Sequence, residues 1–171
     1  SQHTGPQFKG GCEDVVLEHC EFLNAGMRPI QAGGSTGLDF FRPLGAKFEA
    51  RRIIIRNNKI EGGDCACAFT GVDGGEFTNN TILYPAKFIF RILTETKVEG
   101  FPPARNVRIS GNRFTFRRAQ VQTAVNTGPD TAPETCQFSG NQRYAEDKPA
   151  ASKLALPVEE TGGIYGQRPT P

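Results

Sequence analysis

Lys87 and Arg91 alternate with Phe88, Phe90 and Ile92 in the segment KFIFRIL, residues 87–93. A period of two sends the cations and the phenylalanines to opposite faces of an extended strand. Cations on an open strand face attract carboxylates, and arginine grips them bidentately. Four residues along a strand place the two charges about 13 Å apart. That distance is too long for one acid–base pair acting on one bond, and it suits two subsites of an extended anionic ligand. Lys87 and Arg91 are the candidate catalytic residues of this stretch, since their types could serve as a base or neutralise a carboxylate. An arginine base is difficult because its pKa lies above about 12. A lysine base needs desolvation or a neighbouring like charge to lower its pKa. The candidate ligand-binding residues around them are Asp39, Arg42, Asp64, Asp73, Glu95 and Asn126. Asp64 and Asp73 bracket the apolar stretch CACAFTGV, Asn126 ends VQTAVN, and the others lie in long loops. A hydrolytic pair would need two carboxyl groups about 5–10 Å apart, and Asp64 and Asp73 stand at opposite ends of a strand. The plain alternative is that both cations are solvated and paired with loop acids, and that GVDGG is only a turn.

The elements that must position these residues follow a repeat. IIIRNNKI (53–60), GEFTNNTI (75–82), VRISGNRF (107–114) and CQFSGNQR (136–143) share one template: apolar, any, apolar, two polar residues, Asn, any, apolar. Arg143 departs from it in the last apolar slot, and VVLEHCEF (15–22) has Cys20 where Asn belongs. The key positions Cys20, Asn58, Asn80, Asn112 and Asn141 are 38, 22, 32 and 29 residues apart. A second strand follows each key position, and insertions fall in the loops, as in stacked solenoids. Asparagines stacked about 4.8 Å apart can bond from turn to turn, and Asn tolerates the left-handed backbone that a sharp bend requires. A sandwich of short antiparallel strands would instead show regular two-residue hairpin turns, which this sequence lacks.

The units resemble the repeats of right-handed parallel β-helix proteins, the architecture of pectate lyases and related polysaccharide-active proteins. GGSTGLDFFRP, GVDGGEFTNNTILYP, RILTET and GPDTAPET also resemble an uncharacterised group of secreted bacterial β-helix proteins. The expected fold is all-β, a right-handed parallel β-helix of four to five coils with Asn-containing turns, forming part of a longer helix. Residues 1–11 read as a lead-in or the remnant of a preceding coil, 12–147 as the coils, and 148–171 as a tail in which Leu154, Leu156, Val158 and Ile164 cover the last coil. The resemblance implies an acidic polysaccharide along the outer parallel sheet and β-elimination as the chemistry. It further implies Ca²⁺ as the admissible cofactor and a secreted or periplasmic location. The other readings are a non-catalytic structural or glycan-binding segment of a larger protein, and a glycoside hydrolase.

The last strand of each coil should point Cys65, Cys67, Phe69, Phe88, Phe90 and Ile92 inward. Ala66, Ala68, Thr70, Lys87, Ile89, Arg91 and Asn126 should then point outward. The aromatics of DFFRP fit either sugar stacking or loop packing. Twenty basic and 18 acidic residues give a net charge of +2, against a general nucleic-acid binder. No run approaches the roughly 20 apolar residues of a membrane helix. Five cysteines and two histidines assemble no four-ligand metal set, so the cysteines read as small buried hydrophobes. Preceding coils or another chain are expected to cover the open N-terminal end.

Overall fold

The computed structural model describes residues 4–170. The described residues are all-β apart from three 3-10 turns at Leu38–Phe40, Pro133–Thr135 and Pro149–Ala151. After β1 (Gln7–Phe8) the strands come in triplets. The first is β2 (Cys12–Glu18), β3 (Glu21–Leu23) and β4 (Gln31–Gly33). The second is β5 (Ala50–Arg56), β6 (Lys59–Glu61) and β7 (Cys67–Thr70). The third is β8 (Val72–Thr78), β9 (Thr81–Leu83) and β10 (Phe88–Leu93). The fourth is β11 (Arg105–Ser110), β12 (Arg113–Phe116) and β13 (Thr123–Thr127). Then come β14 (Gln137–Ser139), β15 (Gln142–Ala145) and β16 (Ile164–Tyr165).

Each member of a triplet joins a different sheet. The first sheet runs β2-β5-β8-β11-β14, the second β3-β6-β9-β12-β15-β16, and the third β1-β4-β7-β10-β13. All these pairings are parallel. Parallel neighbours three strands apart in the chain are compatible with a parallel β-helix, and the antiparallel sandwich is excluded. Inward residues of the three sheets meet in one apolar interior that includes Ile53, Ile55, Ile60, Ile82 and Ile109. Phe77 of the first sheet and Phe114 of the second both pack edge-on against Phe90 of the third, with centroids 5.0 and 5.7 Å away.

The asparagine turns form a continuous ladder. The Nδ2 of Asn58 donates to Oδ1 of Asn80 (3.0 Å), that of Asn80 to Asn112 (3.1 Å), and that of Asn112 to Asn141 (2.9 Å). Each Oδ1 also accepts the backbone N–H of the preceding turn, from Cys20, Asn58, Asn80 and Asn112. The second Nδ2 hydrogen of each closes on a strand carbonyl: Leu17, Ile55, Phe77 and Ile109. One detail differs from the sequence reading. The left-handed residue is the one before the ladder asparagine: His19, Asn57, Asn79, Gly111 and Gly140 all have φ between 54° and 66°. The bend and the ladder are separate tasks, given to adjacent residues.

At the far end the ladder meets Glu160. Its Oε1 accepts from the Nδ2 of Asn141 (2.6 Å), and its Oε2 from Arg143 and from the Tyr165 hydroxyl. Arg143, an interruption of the template in sequence, is a buried cation with Phe114 and Tyr165 rings on its two sides; its side chain and that of Glu160 are each 1% exposed. Burial pushes the Glu160 carboxyl up, but the charge of Arg143 and the hydrogen bonds from Tyr165, Arg143 and Asn141 outweigh it and hold the pKa below the ordinary value. In the tail, Leu154 is buried and Leu156 and Val158 pack on the core. Ile164 is a correction: it is exposed, because it lies in β16, which extends the second sheet instead of covering it.

Glu49 holds the loops at the other end. It is buried, and its carboxylate accepts from the backbone N–H of Gly10 (3.1 Å) and of Thr36 (2.8 Å), and from the hydroxyls of Thr36 (2.7 Å) and Thr96 (2.5 Å). Four donors in place of a counter-ion satisfy a buried carboxylate.

All five cysteines are free. Burial pushes the thiols of Cys65, Cys67 and Cys136 up, Cys65 to about 12. A thiolate reagent at pH ~8 is expected to label Cys12 and Cys20 quickly, and the other three only after denaturant is added. Mass mapping of the labelled peptides checks this.

Candidate functional site

The outer face of the third sheet carries one polar row across all five strands. Register aligns Gln7, Gln31, Ala68, Arg91 and Asn126. The Arg91 Nε donates to Oδ1 of Asn126 (3.3 Å). Arg28, just before β4, donates from Nη1 to Oε1 of Gln31 (3.0 Å). Ala68 leaves a gap in the row between Gln31 and Arg91. Burial dominates the raised pKa of Cys65, and the charges of Arg91 and Arg28 both oppose it. The two guanidinium groups are held by different amides, Arg28 by Gln31 and Arg91 by Asn126. Neither has a carboxylate within 4 Å among the described residues. Beside them lies a cavity of about 330 Å³ lined by Lys9, Arg28, Gln31, Ser35 and Glu95.

The sequence-derived residues divide. Arg91 and Asn126 touch, and Glu95 lines the adjoining cavity. Lys87 lies in the bend just before β10, and its ammonium rests on Asp64 at 2.7 Å. That is the paired state of the plain alternative, and it removes Lys87 as an uncompensated cation. Asp73 is elsewhere: it lies in β8 of the first sheet, held by both nitrogens of a fork from Arg105 (2.8 and 3.0 Å) and by Asn106 (2.8 Å). The Arg105 hydrogen bond is the main cause of its lowered pKa. Asp64, in the bend before β7, and Asp73, in β8, are each engaged by their own cation and form no hydrolytic pair. Asp39 and Arg42 stay in their loop, where Arg42 Nη1 is folded onto the carbonyls of Asp39 and Phe41. The DFFRP aromatics separate: Phe41 is buried edge-on against Phe101, while Phe40 is 75% exposed.

The residues Ala66, Ala68, Thr70 and Ile89, expected outward, are a further correction, for all four are buried. Short alanines flank Ile89, and these positions lie recessed. The open surface is therefore narrower than strict alternation predicts. Arg28 was missed because it lies in a turn, outside any strand period. Its only signal is its place three residues before the outward Gln31.

A larger depression, about 540 Å³, crosses the first sheet and is lined by Val16, Ile54, Gly74, Glu76 and Arg108 among others. Its cations are already neutralised: Arg52 by Asp14 and Glu13, and Arg108 by Glu76. Beside the third sheet, Arg28 and Arg91 have no carboxylate within 4 Å among the described residues. Among the described residues no group of His, Cys, Asp or Glu is arranged to hold a metal ion. No family model, curated protein or solved structure matches the chain.

Proposed function

We propose that the chain winds as a right-handed parallel β-helix of about five coils, and that it binds an extended acidic polysaccharide along the outer face of the third sheet. The right hand follows from the general rule for parallel crossovers. One observation carries the binding assignment: Arg91 of the row and Arg28, which bonds the row's Gln31, have no carboxylate within 4 Å among the described residues, and the other polar members of the row are the amides Gln7, Gln31 and Asn126. Successive strands about 4.8 Å apart set polar groups at regular intervals along the stack, and arginine forks suit uronate carboxylates. Lys87 contributes less, because Asp64 already occupies it. The elimination chemistry of a lyase would in addition require a base, and Arg91 would then act as the carboxylate neutraliser, with Ca²⁺ as the admissible helper. Secretion, and preceding coils or a second chain over the N-terminal end, belong to the same proposal.

Affinity electrophoresis through gels containing alginate, pectate or a glycosaminoglycan tests it, run with and without Ca²⁺. Retardation by at least one acidic polymer is expected, and Arg91→Ala and Arg28→Ala should each weaken it by about tenfold or more, near the loss of one charge-assisted hydrogen bond. Lys87→Ala should leave it within about twofold, as for an exposed ion pair. Retardation unchanged in both arginine variants would overturn the site. New ultraviolet absorbance from unsaturated ends in the same incubations would add elimination to binding.

A further inference from the structure

The first sheet alternates in charge from strand to strand. Glu13 of β2 faces Arg51 of β5, Arg51 faces Asp73 of β8, and Asp73 faces Arg105 of β11. Arg51 bonds Glu13 at 2.7 Å and Arg105 bonds Asp73 at 2.8 Å, while the charge of Arg51 also acts on Asp73. The same order starts at Glu18, paired with Arg56 (2.7 Å), and in the second sheet at Glu21, paired with Lys59 (2.5 Å). Each row begins with an acid. Arg51 has acids on both sides, whereas Glu13 and Glu18 have cations on one side only.

Those acids lie on the terminal strands of their sheets. Among the described residues nothing pairs with the outer edge of β2 or β3. The inward side chains on this edge, Val15, Leu17 and Phe22, are only partly buried. Their register partners Ile53, Ile55 and Ile60 are fully buried. Unpaired backbone, an acidic margin and an incompletely covered apolar interior therefore coincide. The opposite end is closed differently: Thr161 bridges to Ser139, β16 lies on β15, and Glu160 caps the ladder.

We propose that this edge receives one further parallel β-strand with basic residues at its ends and aliphatic residues between them, supplied by another polypeptide segment. Its cations lie opposite Glu13 and Glu18, and its aliphatic residues cover Val15 and Leu17. Backbone pairing supplies affinity and the charge rows set the register. A second copy of the same edge is the wrong partner, because it would set Glu13 and Glu18 against acids. Cys20 occupies the ladder position of this turn and has no side-chain amide, so the asparagine ladder ends at Asn58, which accepts the Cys20 backbone N–H. The required chemistry is already present on the inner side of β2, in the ARRIIIR sequence of β5.

The test is a fluorescently labelled ARRIIIR peptide titrated into the full chain and followed by anisotropy, beside the same peptide with its three arginines changed to glutamate. The basic peptide is expected to bind at least about tenfold tighter, with an affinity that falls as salt rises. The double variant Glu13→Lys, Glu18→Lys should reverse the preference. The peptide comparison uses the unaltered chain, so it stands even where that variant does not fold. Equal binding of both peptides, no binding of the basic one, or dimerisation of the chain that competes with the peptide would each overturn the proposal.

Discussion

Glu160→Leu is expected to remove about 3–5 kcal/mol of folding stability, the usual cost of leaving a buried charge without its partner. Arg143 would remain inside the stack with no acid, its side chain 1% exposed. Asn141 would lose the acceptor for its Nδ2, and the Tyr165 hydroxyl its partner. Urea denaturation of the variant against the parent measures the loss. Adding Arg143→Met should recover part of it, since an apolar pair in place of an ion pair is often tolerated. The unrecovered part belongs to the end of the ladder. The pH dependence separates charge from shape. The folded pKa of Glu160 lies below its ordinary value, so its contribution is fully present above the unfolded pKa, near 4.3–4.5. It is lost as pH falls through the lower folded value. Parent stability should therefore fall more steeply below about pH 4 than that of Glu160→Gln, which has no charge to lose. Equal acid slopes would refute the buried pair.

Asn80→Ala should cost a similar amount, about 3–5 kcal/mol, at a position with no charge. Its Oδ1 accepts from both the backbone N–H and the Nδ2 of Asn58, and its Nδ2 serves the Ile55 carbonyl and Asn112. Each buried group left unmet costs about 1–3 kcal/mol. Asn80→Asp should be no better at neutral pH, because a carboxylate would face the Ile55 carbonyl and the Asn112 Oδ1 with no hydrogen to offer either. It should improve as the pH falls and the acid protonates. The neighbouring Asn79 is the control. It is exposed, with φ of 54°, so Asn79→Gly should change stability by only a few tenths of a kcal/mol. Thermal or urea unfolding of the three variants gives the ranking, and a cheap Asn80→Ala would show that the ladder carries little of the stability.

The contrast between Asn79 and Asn80 shows what the sequence could disclose. The repeat was legible because a parallel stack forces chemically equivalent residues into register: apolar residues inward and an asparagine at the same point of each turn. The parallel all-β architecture and the ladder positions could be read from that. Glu160 could not. It comes from outside the template, and its role depends on a buried Arg143 that looked like a defect in the repeat. The site was legible only along the strand direction. Alternation correctly placed Arg91 on the outer face beside Asn126. What lay across the strands, such as Asp64 beside Lys87, depends on how neighbouring triplets stack. Asp73 was misplaced for the same reason. The chain turns at Gly71, so a residue near in sequence begins a different sheet.

Glu49 has a consequence for the order in which the chain is assembled during synthesis. Its donors come from residues 10, 36 and 96. A nascent chain that has just released β5 holds a carboxylate with only part of its set, and the hydroxyl of Thr96 arrives 47 residues later. At about 5–20 residues per second, that is an interval of seconds. The first two triplets can pair their strands in that time, but their loops are fastened only once the third triplet has emerged. Residues 10 and 36 are thus fastened only after residue 96 has been made.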